Sequence, residues 1–205
     1  MAVAELDPGR VRVLDALGAR SPVRSDPTLP AIERYTGVLY KELDAASLPA
    51  VARRRLDRSL LTVSGLWGLV APQDPIPYYK LKMSASASRI GKLSTWWRPQ
   101  LTAALQERAK GAVIWDLLPI EHAAAWSPDQ LDPHRRITVR FLDRDGKAVS
   151  HWNKLLKGSL VRWLAITGAT DPEALAAFDH PQGYRFDPLA SDLVADPNVV
   201  VFRQT

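Results

Sequence analysis

Ser150-His151-Trp152-Asn153-Lys154-Leu155-Leu156-Lys157-Gly158-Ser159-Leu160-Val161-Arg162-Trp163 is the stretch around which this chain organises itself. It follows the turn-like Asp143-Arg144-Asp145-Gly146 and the short run Lys147-Ala148-Val149, so it starts at a strand end. Leu155, Leu156, Leu160, Trp163 and Leu164 then recur near helical spacing. Lys154, Lys157 and Arg162 stand in it, and no acid falls between Lys147 and Arg162. A basic strand-to-helix corner of this kind suits an anion, because free backbone N–H groups and cationic side chains act on the same phosphate. An ordinary amphipathic helix with a solvated basic face has the same spacing.

The flanking segments alternate between helix and strand. Upstream, Arg136-Ile137-Thr138-Val139-Arg140-Phe141-Leu142 alternates as a strand, and Asp145-Gly146 turns it into a hairpin with Lys147 to His151. Downstream, Asp171-Pro172-Glu173 opens a helix with Asp171 as N-cap. Gly183 to Asp187 and Asn198 to Arg203 close the chain as strands. Gly111 to Leu118 is a glycine-bounded apolar strand ending near Asp116, where open sheets gather their ligands. Pro119 to Trp126, with Glu121 and His122, continues as a helical turn.

The earlier part is read the same way. Val11–Leu17 predicts a short helix, Gly18 to Pro30 a loop, and Leu43 to Leu69 a long helix. Ser64-Gly65-Leu66-Trp67-Gly68 interrupts or follows that helix. It suits either the tight turn of a helix-hairpin-helix element or a plain buried turn packed by Trp67. Tyr78 to Met83 predicts a strand with Tyr79, Leu81 and Met83 on one face and Lys80 and Lys82 on the other. Ser84 to Ser88 is a loop, and Lys92 to Lys110 a helix with Trp96, Trp97, Leu101 and Leu105 as core. The interleaving gives a mixed α/β (α+β) fold.

Composition bounds the function. The 205 residues can bury a real core, and 46% apolar with 24% charged residues is the ordinary globular range. No apolar run is long enough to span a membrane and no secretion signal is evident, so the expectation is a cytoplasmic protein with no membrane partner. There is no cysteine, which excludes disulfides and thiolate chemistry. His122, His134, His151 and His180 lie too far apart for a metalloprotease pair, so no metal or cofactor is expected. Phosphate-loop, dinucleotide-binding and serine-hydrolase motifs are missing as well. The formal charge is +5, and Tyr79 to Lys110 holds seven cations against Glu107 alone. Such clustering points toward a nucleic-acid or phosphate surface.

Taken in order, several stretches resemble the YaaA family of bacterial peroxide-stress proteins. They are Tyr35-Thr36-Gly37, Ser64 to Gly68, Tyr79-Lys80-x-x-Met83, Trp97, Asp116, and Glu121-His122-Ala123-Ala124-Ala125-Trp126. His151-x-Asn153-Lys154-x-x-Lys157-Gly158-x-x-x-Arg162 and Gly183-Tyr184 complete the set. The resemblance divides the chain into an extension, 1–30, and a family domain, 31–205. It implies a single domain of the so-called cantaloupe fold, with a helix-hairpin-helix-like element and a basic cleft, that binds DNA and lowers intracellular iron under peroxide stress. Carried over by position, Ser64, Gly65, Gly68, Lys80, Lys154, Lys157 and Arg162 would contact phosphate, while Tyr79 or Trp67 would stack on a base. The family's opening strand and its cleft loop have no counterpart before Ala31, which is expected of a truncated, misassigned or specialised start. Lys82 stands where the family often has an acid, His122 where it usually has tyrosine, and Asp116 where Asn or Asp is common. Three functions compete. The first is a DNA-binding stress protein, with duplex DNA as partner. The second is an enzyme on a nucleotide, nucleoside or other phosphorylated small molecule, with Asp116, Glu121, His122 and Tyr79 as catalytic candidates. The third is an interaction domain with a vestigial cleft.

Overall fold

The computed structural model describes residues 1–149 and 153–205. The fold is mixed α/β, as the interleaved patterning predicts. The chain forms two compact units, each assembled from separated stretches. The first comprises Met1–Tyr35, Asp57–Lys110 and Leu118–Asp132, and the second Thr36–Leu56, Gly111–Leu117 and Pro133–Thr205.

The second unit is built on a four-stranded sheet in the order Val113–Asp116, Arg135–Leu142, Asn198–Gln204, Tyr184–Phe186. The first three strands run parallel, and Tyr184–Phe186 is antiparallel to Asn198–Gln204. Alternation in Arg135–Leu142 buries Ile137 and Phe141 in a core with Leu156, Leu160, Phe178, Val200 and Phe202. A parallel pair needs a crossover, and the Asn153–Thr167 helix lies in the connection from Arg135–Leu142 to Asn198–Gln204. The turn at Gly146 forms as expected: Gly146 has φ +79°, and the Val149 N–H donates to the Phe141 carbonyl at 3.0 Å. The rest of that hairpin and the strand-to-helix corner, Ser150, His151 and Trp152, lie outside the described residues. Asp171 accepts from the Glu173 N–H with Pro172 in the first position, though Pro172–Ala177 is a 3₁₀ rather than an α-helix.

The Val38–Leu43 helix packs on Asn153–Thr167 at Gly158. A Cβ at Gly158 would overlap the Leu39 carbonyl oxygen and stand 2.9 Å from the Glu42 Cβ. Only glycine lets the two backbones approach this closely.

The long helix predicted over Leu43 to Leu69 is not formed. Val38–Leu43 stops at Asp44, which has φ +42°. After a 3₁₀ turn at Ala45–Ser47, Pro49 holds Leu48 extended, so α-helix resumes only at Ala50–Ser59. In the first unit, Thr62–Ser64 and Gly68–Val70 then pair as an antiparallel hairpin, with Ser64 opposite Gly68. Gly68, at φ +71°, supplies a backbone that other residues adopt at a cost. The helix-hairpin-helix-like element of the sequence reading falls on this hairpin.

Tyr78 to Met83 is likewise not a strand, and among the described residues none pairs with it. Pro75 and Pro77 lack the N–H groups that would extend the short Pro75–Ile76 ladder into it. Its predicted alternation survives: Met83 is fully buried and Tyr79 and Leu81 half-buried, while Lys80 and Lys82 are exposed. Leu93–Ala109 is the expected helix, burying Leu93, Trp97 and Leu101 completely. The 1–30 stretch contributes Val3, Leu6 and Val13 to the buried residues. No helix among the described residues is long and apolar enough to cross a membrane.

Gly158→Ala is expected to lower stability by about 1–3 kcal/mol, the range for forcing volume into a packed site. Gly37→Ala, where nothing lies within 4 Å of an added Cβ, is the control. Urea unfolding midpoints of the two variants measure the difference.

Candidate functional site

In the first unit the Ser64–Gly68 turn is held from all sides. The Ser64 hydroxyl oxygen accepts from the backbone N–H groups of Leu66 (3.2 Å) and Trp67 (3.0 Å). It also bonds the Tyr79 hydroxyl at 2.7 Å, and that hydroxyl bonds the Tyr35 hydroxyl at 2.7 Å. Burial raises the Tyr79 pKa above its ordinary value, against the opposing hydrogen bonds from Ser64 and Tyr35. At Gly65 a Cβ would stand 2.6 Å from the Leu81 carbonyl oxygen, so the 81–82 backbone passes directly over the turn. The Trp97 indole donates to the Gly65 carbonyl at 2.9 Å. Arg10, 2% exposed, donates to the carbonyls of Trp67 (2.9 Å) and Leu69 (2.8 Å).

Ser64, Gly65, Trp67 and Gly68 are therefore all buried, as in a turn packed by Trp67. The Leu66 and Trp67 N–H groups are already spent on Ser64. Ser64 and Tyr79 are brought together, and Tyr35, quoted for the family resemblance but not as a site residue, joins them. A separation of 44 residues hides that contact from any local pattern.

Lys80 is exposed, its Nζ 5.9 Å from the centre of the Tyr78 ring. Glu121 is exposed and accepts from the Ser84 backbone N–H at 2.8 Å, which holds its carboxyl below the ordinary pKa. Its neighbour His122 is half-buried, and burial lowers its pKa against the pull of Glu121. The two adjacent side chains thus have different surroundings.

In the second unit Asp116 ends its strand as predicted, with its carboxylate 6% exposed and bound to Arg136 through Nε (3.1 Å) and a terminal nitrogen (2.7 Å). Lys157 donates to the Leu117 carbonyl at 2.8 Å. Burial lowers the Lys157 pKa and the nearby Asp116 charge works against that. Arg162 donates to the carbonyls of Leu43 and Asp44, each at 2.9 Å, and so caps the Val38–Leu43 helix. Lys154 alone of the three cations on this helix is exposed.

A further polar chain escaped the sequence reading. The Ser159 hydroxyl donates to Glu42 at 2.7 Å and lies 3.1 Å from His180 Nε2. The Gln182 N–H donates to His180 Nδ1 at 3.2 Å, so the neutral ring carries its proton on Nε2 and donates to Ser159. The Ser159 proton therefore points to Glu42 and not to the imidazole, unlike a serine nucleophile with a histidine base. Among the described residues no three His, Asp or Glu side chains converge in a way that would hold a metal ion.

Comparison with known proteins places the chain in a family. Residues 11–190 match the family model described as peroxide stress protein YaaA. A UPF0246 protein of Streptomyces coelicolor is 47% identical over 148 residues, which cover 72% of this chain and 56% of the relative. One from Laribacter hongkongensis is 34% identical over 170 residues, 79% of this chain and 66% of the relative. One from Ruegeria pomeroyi is 32% identical over 210 residues, 98% of this chain and 78% of the relative. The chain thus spans somewhat less than two thirds of the first two relatives it matches. By sequence, it belongs to the peroxide stress protein YaaA family.

Proposed function

We propose that this chain is a cytoplasmic peroxide-stress protein that binds the phosphate backbone of duplex DNA and helps limit intracellular iron by an indirect route. The stress and iron roles rest on the family. One observation supports the DNA partner: all seven cations between Tyr79 and Lys110 are exposed with no ion pair among the described residues, and all but Arg98 and Arg108, which donate to backbone carbonyls, are left to water. Cations held in water release condensed counterions when they meet a phosphate backbone. A second reading, an enzyme on a phosphorylated small molecule, is favoured by Lys157, a partly buried cation beside Asp116 at the end of a parallel strand.

Duplex affinity is expected to fall steeply with salt. Lys80→Ala/Lys82→Ala should weaken it and flatten the log–log salt slope by roughly 0.9 for each phosphate that the variant no longer neutralises. Titrations at several salt concentrations test this, and salt-independent binding or an unaffected variant would count against the DNA reading. Stabilisation by one nucleotide, with no duplex binding, would favour the enzyme.

Tyr79→Phe separates ring from hydroxyl. Loss of the hydroxyl breaks the bonds to Ser64 and Tyr35 and is expected to cost about 1–3 kcal/mol of stability. If the ring stacks on a base, duplex affinity at a temperature where the variant is folded should stay unchanged.

A further inference from the structure

In the first unit, Ser86–Ala87 and Gly91–Lys92 form a small hairpin that reverses through Ser88, Arg89 and Ile90. Arg89 has φ +65°, in the left-handed region that a residue with a Cβ occupies at a cost. Two residues on, Gly91 has φ +74°, so glycine does serve this turn where the backbone demands it. Arginine at position 89 keeps a side chain where glycine would be less strained, and backbone strain of this kind clusters at ligand-binding and active sites.

Arg89 lines an open hollow of about 440 Å³ together with Arg12, Asp15, Ala16, Ser88 and Ile90. Arg12 comes from the Asp7–Ala16 helix, its guanidinium carbon 6.0 Å from the centre of the Trp96 ring. Asp15, the one acid in the lining, is bound by Arg24 at 2.6 Å. Among the described residues neither Arg12 nor Arg89 has a carboxylate partner. Two arginines and Ser88 thus line one hollow whose single acid, Asp15, is paired with Arg24 and with neither of them. The planar fork of arginine fits phosphate oxygens in pairs, and a neighbouring hydroxyl adds a third donor.

We propose that this hollow is a phosphate-binding subsite formed by Arg12, Ser88 and Arg89. The ligand is a phosphate group, carried either by a nucleic-acid backbone or by a free phosphorylated small molecule. The subsite uses none of the residues placed at the family cleft; it shares Arg89 with the exposed cations of the DNA reading, and pyrophosphate tests it apart from that reading.

The test is calorimetric titration of the full chain with inorganic pyrophosphate and, separately, with a short DNA duplex. Arg89→Gly relieves the backbone and removes the guanidinium, so it is expected to melt higher than the parent while binding pyrophosphate about tenfold more weakly or worse. Arg12→Ala should show the same loss of binding. If duplex affinity falls in parallel, the phosphate is that of a nucleic-acid backbone. If pyrophosphate binding alone falls, the subsite stands and its ligand is a free phosphorylated molecule, whether or not the parent binds DNA. Pyrophosphate that does not bind the parent, or binds both variants as it binds the parent, overturns the proposal.

Discussion

A backbone carbonyl that ends a strand or turn inside a protein needs a donor, and in this chain cationic side chains repeatedly supply it. In the first unit Arg10 lies almost wholly inside and donates to the carbonyls of Val3, Trp67 and Leu69. Arg34 donates to Pro27 and Ile76, and Arg98 to Ala124. In the second unit Arg55 donates to Ala165 and Ile166, Lys157 to Leu117, and Arg162 to Leu43 and Asp44. A buried carbonyl left unpaired costs about 1–3 kcal/mol, and a charged donor makes a stronger bond than a neutral one. Much of the basic composition is therefore architectural.

This division changes what the charge surplus means. Lys157 and Arg162 lie in one of the stretches that carry the family resemblance, yet both side chains are engaged by backbone. The turn around Gly65 has likewise spent its Leu66 and Trp67 N–H groups on Ser64. The cations left to water lie elsewhere. Lys80, Lys82, Arg89, Lys92 and Lys110 are exposed with no hydrogen bond to protein among the described residues, and so is Lys154. A polyanion meeting these side chains displaces only water and counterions, whereas one competing for Arg10 would have to unmake the turn.

Local pattern carried the sequence reading where the chain's own period decides the outcome. Ile137 and Phe141 go inward because strand alternation leaves them no other face, and Asp171-Pro172 announces its turn through capping chemistry. Leu43 to Leu69 misled because its apolar spacing is helical, while Asp44, Pro49 and Gly68 break the backbone at single positions. Tyr78 to Met83 kept its inward and outward faces but found no ladder. The site was legible only in part. Asp116 at a strand end followed from position, but its partner Arg136 is 20 residues away. The Ser159–Glu42 contact spans 117 residues, and tertiary packing alone creates it.

Amide hydrogen exchange with and without duplex DNA tests most directly whether the bound cations and the free ones have separate roles. The account predicts that added duplex slows exchange in the Tyr79–Lys92 segment, which carries the exposed Lys80, Lys82, Arg89 and Lys92, and leaves the Thr62–Val70 hairpin with its buried turn unchanged. Protection gained across Ser64 to Gly68, with Tyr79–Lys92 unaffected, would contradict it, because the buried turn would then have to open to meet its ligand.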